Sequence, residues 1–433
     1  MKVLVIGAGP TGLSVAWEIV NTTDHQVFIY DRKDCAGGSW HEPSSGDKRD
    51  LHAPRMLFKQ AFVNTRSLFT EMGMEWDTYF KEKDDTDLYP LLFNTFEFKD
   101  YIALCSLAFR VLYSPETYKR KSLKNSIHGL SKKGSQLLEN ITYSIDGVGW
   151  DVMSAYEFVE SFNQVGLSSQ WEQRISGRSM GLAMQKALED KGAHFSFNTE
   201  LTELKYSPDG FIAQVNMSDE TKIITGDLLV LCLDNFPASV FVQNNWGEFA
   251  RIHLLYSSYT CLHILLDYEY DIKIPNEVKT SLNTKWNILA SVLPDGKTVS
   301  CVMCNLNEEI LKTPPKKLEE TVIQQLGLPK PSSSRVATGT HWDGKQWKMS
   351  QSSGVLNTQG QLPFFGECRN VALCGMMSER NTPYASIEAG IEVGRNFCHQ
   401  VFGTRQALKP ITITTFLLII FLVCLLFLVF KNE

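Results

Sequence analysis

The 433-residue chain lacks the marks of several large function classes. No Walker A, G-x-S-x-G or H-E-x-x-H pattern occurs, so NTPase, serine-hydrolase and zinc-protease chemistry have no motif to rest on. No long run of like charge appears, and the formal net charge is −6. The mildly acidic balance argues against nucleic acid as the main partner, since such proteins show a basic face, and no nucleic-acid partner is expected. The ten cysteines are scattered and suggest no disulfide framework. Cys301 and Cys304 have no partner C-x-x-C, and in a strand they would point to opposite faces, so no metal is expected. A second G-x-G-x-x-G is also absent, since Gly177 and Gly181 have the wrong spacing for a separate nicotinamide site. The N-terminus runs straight into MKVLVIGAG without a charged n-region, apolar h-region and cleavage site. The folded part is expected in the cytosol, with reduced thiols.

What is present begins with an apolar strand over residues 2–7, a glycine-rich turn, a helix near 11–21 and a second strand ending at Asp31. Gly7, Gly9 and Gly12 satisfy G-x-G-x-x-G, with Pro10 and Thr11 between the last two. The first glycine permits the tight turn, the second lets a pyrophosphate reach the backbone, and the third lets helix and strand pack closely. The helix N-terminus then offers N–H groups and partial positive charge to phosphate. Asp31 lies nineteen residues after Gly12, where an acid on ribose hydroxyls is expected. Later, residues 308–327 read as a helix, and alternation around 260–268 and 297–306 predicts an antiparallel sheet.

The other end is apolar. From Ile411 to Phe430 the sequence reads ITITTFLLIIFLVCLLFLVF, without a charge. About 20 such residues cross a bilayer's hydrocarbon core. One C-terminal transmembrane helix is expected, a tail anchor in the lipid bilayer with the rest facing the cytosol.

The fold class is α/β: a Rossmann-type domain with an interleaved substrate domain that contains an antiparallel sheet, plus the C-terminal helix. The expected segments are 1–60 for the dinucleotide-binding βαβ unit and 61–190 for a helical, substrate-domain stretch. Residues 191–240 return to the dinucleotide domain, 241–365 build the substrate sheet, and 366–404 supply a closing strand and helix. Residues 411–430 form the anchor.

Asp31, Arg32, Gly37, Gly38, Ser39 and Trp40 resemble the stretch after the second strand in the FAD-dependent amine oxidase superfamily. Residues 50–55, with His52, Pro54 and Arg55, resemble the segment that runs beside the flavin in that family. The strand ending at Gly375 and the helix from Ala385 through Ile387 resemble the family's closing pair, and residues 192–204, with Leu201, its adenine-side strand. The layout is similar to that of tail-anchored monoamine oxidases. The resemblance implies FAD, hydride transfer from a small-molecule substrate such as an amine to flavin N5, and oxygen as acceptor. Met376 stands where the family has an acid after the glycine. Residues 256–264 hold no lysine where amine-oxidising members place one near N5, and His263 is the candidate to replace it. Cys368 does not match the cysteine that carries covalent flavin, so FAD is expected to be non-covalent. Trp342, Trp347 and Tyr384 are candidates for an aromatic wall. Two alternatives remain open: a sugar-nucleotide mutase of related fold, for which Arg55, Arg174 and Arg178 would bind a diphosphate, and a non-catalytic flavin-binding membrane protein.

Overall fold

The computed structural model describes residues 1–40, 57–83, 94–207, 209–217, 220–242, 245–247, 249–275, 284–293, 295–337, 339–356 and 360–431, without the side chains of 144 and 424–431. β1 (Lys2–Ile6) carries four consecutive buried residues, the pattern of a strand covered on both faces. α1 (Pro10–Thr22) opens with proline, where a missing N–H costs nothing. β2 (Gln26–Tyr30) follows. Next come α2 (Val63–Glu71), α3 (Lys132–Asp146), α4 (Ala155–Val165) and α5 (Gly177–Glu189). β3 (His194–Ser196) and β4 (Leu228–Leu231) precede β5 (Leu262–Asp267), β6 (Ile288–Val292), β7 (Thr298–Met303) and β8 (Ser333–Val336). β9 (Val371–Leu373), α6 (Ile387–Phe402) and α7 (Ile413–Lys431) complete the chain.

Five strands form one parallel sheet in the order β9-β4-β1-β2-β3. Alternate residues of β1 serve two cores, as the period of two requires. Val3 and Val5 pack with Leu13 of α1, Met184 of α5 and Ile391 of α6. Leu4 and Ile6 face Leu201, Ala213 and Val215 of an antiparallel meander, Thr199–Ser207, Gly210–Met217 and Glu220–Ile224.

A second sheet is antiparallel in the order β6-β7-β5-β8. One face packs Leu262, Ile264, Val299 and Cys301 against Leu318 and Val322 of the helix Pro315–Leu326. Its other face turns Leu289, Ser300 and Val302 toward a cavity. The single helix expected over 308–327 is two, Glu308–Leu311 and Pro315–Leu326. Pro315 cannot donate the backbone bond that continuation needs, so it opens a new first turn instead. A third core gathers Leu107, Leu138 and Phe158 from the helix Phe98–Tyr113, α3 and α4.

α7 starts at Ile413, two residues inside the expected span. Among the described residues no helix is long and apolar enough to cross a membrane, and the side chains of α7 are described only as far as Val423.

A buried ion cluster joins the two ends of the Rossmann domain. Arg395 of α6 is fully buried. It donates to Glu18 of α1 at 3.1 Å, and to Glu71 and Asn64 of α2 at 2.9 and 3.2 Å. Arg405 adds a 2.8 Å bond to Glu18 and a further contact to Glu71. Replacing Arg395 leaves the buried Glu18 and the partly buried Glu71 to share Arg405 alone, one carboxylate charge uncompensated. Arg395→Met is expected to lower stability in urea unfolding by about 3–5 kcal/mol; a loss below about 1 kcal/mol would show that Arg405 neutralises both carboxylates alone.

Candidate active site

The turn between β1 and α1 is shaped by close backbone approach. Gly7 has φ +108°, and a Cβ there would fall 2.3 Å from the Cys232 carbonyl oxygen, so the position admits only glycine. Gly38, at φ +56°, lies so near that its own Cβ would sit 2.5 Å from Gly9 Cα. Gly12 seats α1 on the turn, with a would-be Cβ 1.9 Å from the Gly7 oxygen. Gly9 is different. Its φ of −80° and ψ of 178° suit any residue, and a Cβ there meets nothing nearer than 3.5 Å. Open space thus lies over the backbone where a phosphate would approach. Gly9 also gives α1 no side-chain cap, so the first-turn amides are left for an anion.

Asp31, buried at the end of β2, accepts from the Ala8 and Lys33 N–H groups at 2.6 and 2.8 Å. Its carboxylate retains further lone pairs for hydroxyl donors. Arg32, Ser39, Trp40 and Leu201 line the same end of the cavity with Gly7, Pro10 and Thr11. Gly37 shapes the cradle rather than lining it, donating its N–H to the Ala8 oxygen at 2.9 Å. His52, Pro54 and Arg55 lie outside the described residues. The open cradle, the uncapped amides and the buried acid fit FAD.

The cavity measures about 1100 Å³. It continues past Gly375, Met376, Tyr384 and Ile387 into a chamber walled by Phe58, Phe62, Ile141, Phe162, Leu289 and Val302. Met376 Cε lies 3.3 Å from where a Gly390 Cβ would be. Its thioether therefore covers the first turn of α6, an apolar contact where the resemblance implies an acid.

Other candidates stand elsewhere. His263 is fully buried, bonds Ser300 Oγ at 2.8 Å and does not line the cavity, so it does not replace the missing lysine. His263 shares the cavity-side face of the sheet with Val302, its cross-strand partner, but Ser300 and Val302 occupy the wall in its place. Of the expected aromatic wall, Tyr384 lines the cavity and stacks on Phe62 at 6.2 Å. Trp342 and Trp347 border a separate hollow beside the helix Pro315–Leu326. Arg174 and Arg178 are not at the cavity, and Arg178 pairs with Asp34 at 2.9 Å. The basic pocket that a sugar-nucleotide mutase needs therefore loses these two residues.

The structure adds a group that sequence reasoning missed. Asp146, the last residue of α3, lines the chamber yet is almost wholly buried. The Ala385 N–H donates to its carboxylate, while Asp146 Oδ2 and Tyr384 OH have no partner among the described residues. Burial, then repulsion from Glu157, pushes Asp146 up to about 8 against the pull of Arg380. Burial, with Glu388 and Glu392 nearby, holds the Tyr384 hydroxyl well above its usual range. At neutral pH both groups are protonated. One sequence signal could have pointed here: an acid in the last turn of a helix opposes the helix dipole.

Asp146 is protonated in the folded chain and ionised in the unfolded chain between about pH 4 and 8. Its contribution to stability is full below that window and falls as pH rises through it. Asp146→Asn is expected to flatten the decline, by about 1.4 kcal/mol per pH unit at most, in urea unfolding of the flavin-free chain. Parallel profiles for the two proteins would remove the raised acidity.

Residues 5–71 match the family model of the NAD(P)-binding Rossmann-like domain. No curated protein matches the chain by sequence. Among solved structures, an oxidoreductase from Methanosarcina mazei is 12% identical with TM-score 0.60, covering 91% of this chain and 99% of that one. Putrescine oxidase bound to putrescine is 12% identical with TM-score 0.61, covering 93% and 99%. Cyclohexylamine oxidase from Brevibacterium oxydans is 14% identical with TM-score 0.56, covering 91% and 96%. At such identities the likeness is one of fold, and it extends over nearly the whole chain.

Proposed function

We propose that the protein is an FAD-dependent oxidoreductase that removes a hydride from a C–H bond of an amine, with oxygen as final acceptor. The observation that carries this reading is one cavity that joins the glycine cradle to an apolar chamber ending at Asp146 and Tyr384. Likeness of fold to putrescine and cyclohexylamine oxidases supports it. FAD, when bound, supplies the hydride acceptor. The Gly9 backbone and the first turn of α1 would hold its pyrophosphate, and Asp31 its ribose hydroxyls. The walls formed by Phe58, Phe62, Phe162 and Leu289 exclude water and orient an apolar substrate body. Asp146, protonated at neutral pH, would donate a hydrogen bond from its unpartnered carboxyl oxygen to the nitrogen of the neutral amine. A hydride leaves a neutral amine more readily than an ammonium ion, so a carboxyl that is neutral up to about pH 8, among apolar walls, favours the uncharged, reactive form of the substrate.

We also propose that residues 411–430 hold the chain on a bilayer, with the cavity on the cytosolic side. The uncharged run supports this, as do the apolar side chains of residues 416–423, each between 43% and 61% exposed. Alkaline carbonate should leave the full chain in the membrane pellet and release a chain ending at Pro410; full-chain release would refute the anchor.

The purified, detergent-solubilised chain is expected to show flavin absorption and to release FAD on denaturation. Anaerobic addition of a lipophilic amine should then bleach the flavin bands. A folded, colourless chain that takes up no FAD would overturn the reading. Gly9→Ala tests the cradle separately, because the position tolerates a methyl within the protein but not beneath a pyrophosphate. FAD affinity should fall at least about tenfold, near 1.4 kcal/mol, while the flavin-free melting temperature stays unchanged.

A further inference from the structure

The helix Phe98–Tyr113 is apolar on two sides. Leu107 and Val111 are buried in the core with Leu123 and Leu138. On the outer side Phe98, Ile102, Phe109, Leu112 and Tyr113 are between 48% and 84% exposed, and Cys105 is exposed among them. Positions 98, 102, 105, 109 and 112 follow the four-then-three spacing of one helical stripe. A contiguous apolar stripe of this kind marks a contact surface, whereas scattered single residues would not.

What lies beside the stripe identifies its occupant. Residues 115–133 carry six Lys or Arg against Glu116 as the one acid. Lys119 lies 5.2 Å over the ring of Tyr156 on α4. Seven positions along α4, Asn163 Oδ1 accepts from the N–H and hydroxyl of Thr414, in the first turn of α7, at 3.0 and 2.8 Å. Residues seven apart lie on the same face of a helix, about 10 Å from each other. The basic segment and the start of α7 therefore meet one face of α4, and the helix Phe98–Tyr113 packs against α4 as well. At 16 residues that helix is about 24 Å long. It is too short to span the roughly 30 Å hydrocarbon core, and an apolar stripe flanked by cations suits the interface plane.

We infer that the helix Phe98–Tyr113 is a second membrane contact, lying in the headgroup layer of an anionic bilayer with its apolar stripe toward the acyl chains. The inference rests on the anchoring proposed for α7. It places the bilayer one helix away from the chamber, because α4 also lines the cavity through Ser161, Phe162 and Val165. A lipophilic substrate would then have a short path from the lipid.

Cys105 lets the idea be tested in the full chain. A nitroxide on Cys105, in a Cys424→Ser background with Cys105→Ser as blank, is read in phosphatidylcholine–phosphatidylserine vesicles. The expected result is loss of broadening by a water-soluble nickel chelate and gain of broadening by oxygen, relative to detergent. Ile102→Glu with Phe109→Glu should return the label to the nickel-accessible state while α7 keeps the protein on floating vesicles. A label that stays nickel-accessible on vesicle-bound wild type overturns the inference and leaves the anchor standing. Failure of the full chain to float overturns both. Spin–spin broadening that persists without lipid would assign the stripe to a second copy and overturn the inference.

Discussion

Two carboxylates and two guanidinium groups hold the ends of this chain together. Glu18 sits on the helix that opens the cradle, Arg395 on the helix that closes it, and Glu71 and Arg405 complete the cluster. Glu18 and Arg395 have no access to water and Glu71 and Arg405 have some; each guanidinium meets both carboxylates, so the cluster is balanced two against two and loses that balance when any one is removed. The register of α1 against α6 is tied to that cluster. So is the distance between Gly9, at one end of the cavity, and Ile387, at the start of α6.

Further toward the chamber the charges no longer balance. Asp146, Glu157, Glu388 and Glu392 surround Arg380 or Tyr384. Glu388 accepts four bonds from Asn64 and Thr65, and Glu392 accepts four from Asn381 and Thr382. Glu157 bonds Ser154 in a capping box at the start of α4. These three acids hold backbone in place. Asp146 lines the cavity with an oxygen left over. Burial without a full set of partners separates an acid that can exchange a proton from acids that fasten loops.

The run from Gly7 to Gly12, followed by Asp31, is readable because its constraints are local. The turn, the close approach and the helix start lie within a few residues, and each demands a particular residue type. Asp146 is not legible as a site residue, because its surroundings come from α3, α4, residue 259 and the 380–385 loop. The reading of His263 failed for a related cause: the strand pattern is visible in the sequence, but Ser300 and Val302 of the neighbouring strand, on the same face as His263, take the cavity wall in its place. The tryptophans at 342 and 347 are recognisable as apolar mass, while their hollow is defined by a helix nearly thirty residues away.

The sequence by itself determined the elements whose physics is short-ranged: the glycine cradle, the apolar strand that precedes it and the uncharged run at 411–430. Tertiary structure decided where the chemistry can occur. It brought strands from residues 2–6, 228–231 and 371–373 into one parallel sheet, directed one face of the second sheet toward the chamber, and enclosed a carboxyl group among apolar walls. Desolvation and long-range pairing depend on neighbours hundreds of residues away, so no local pattern along the chain records them.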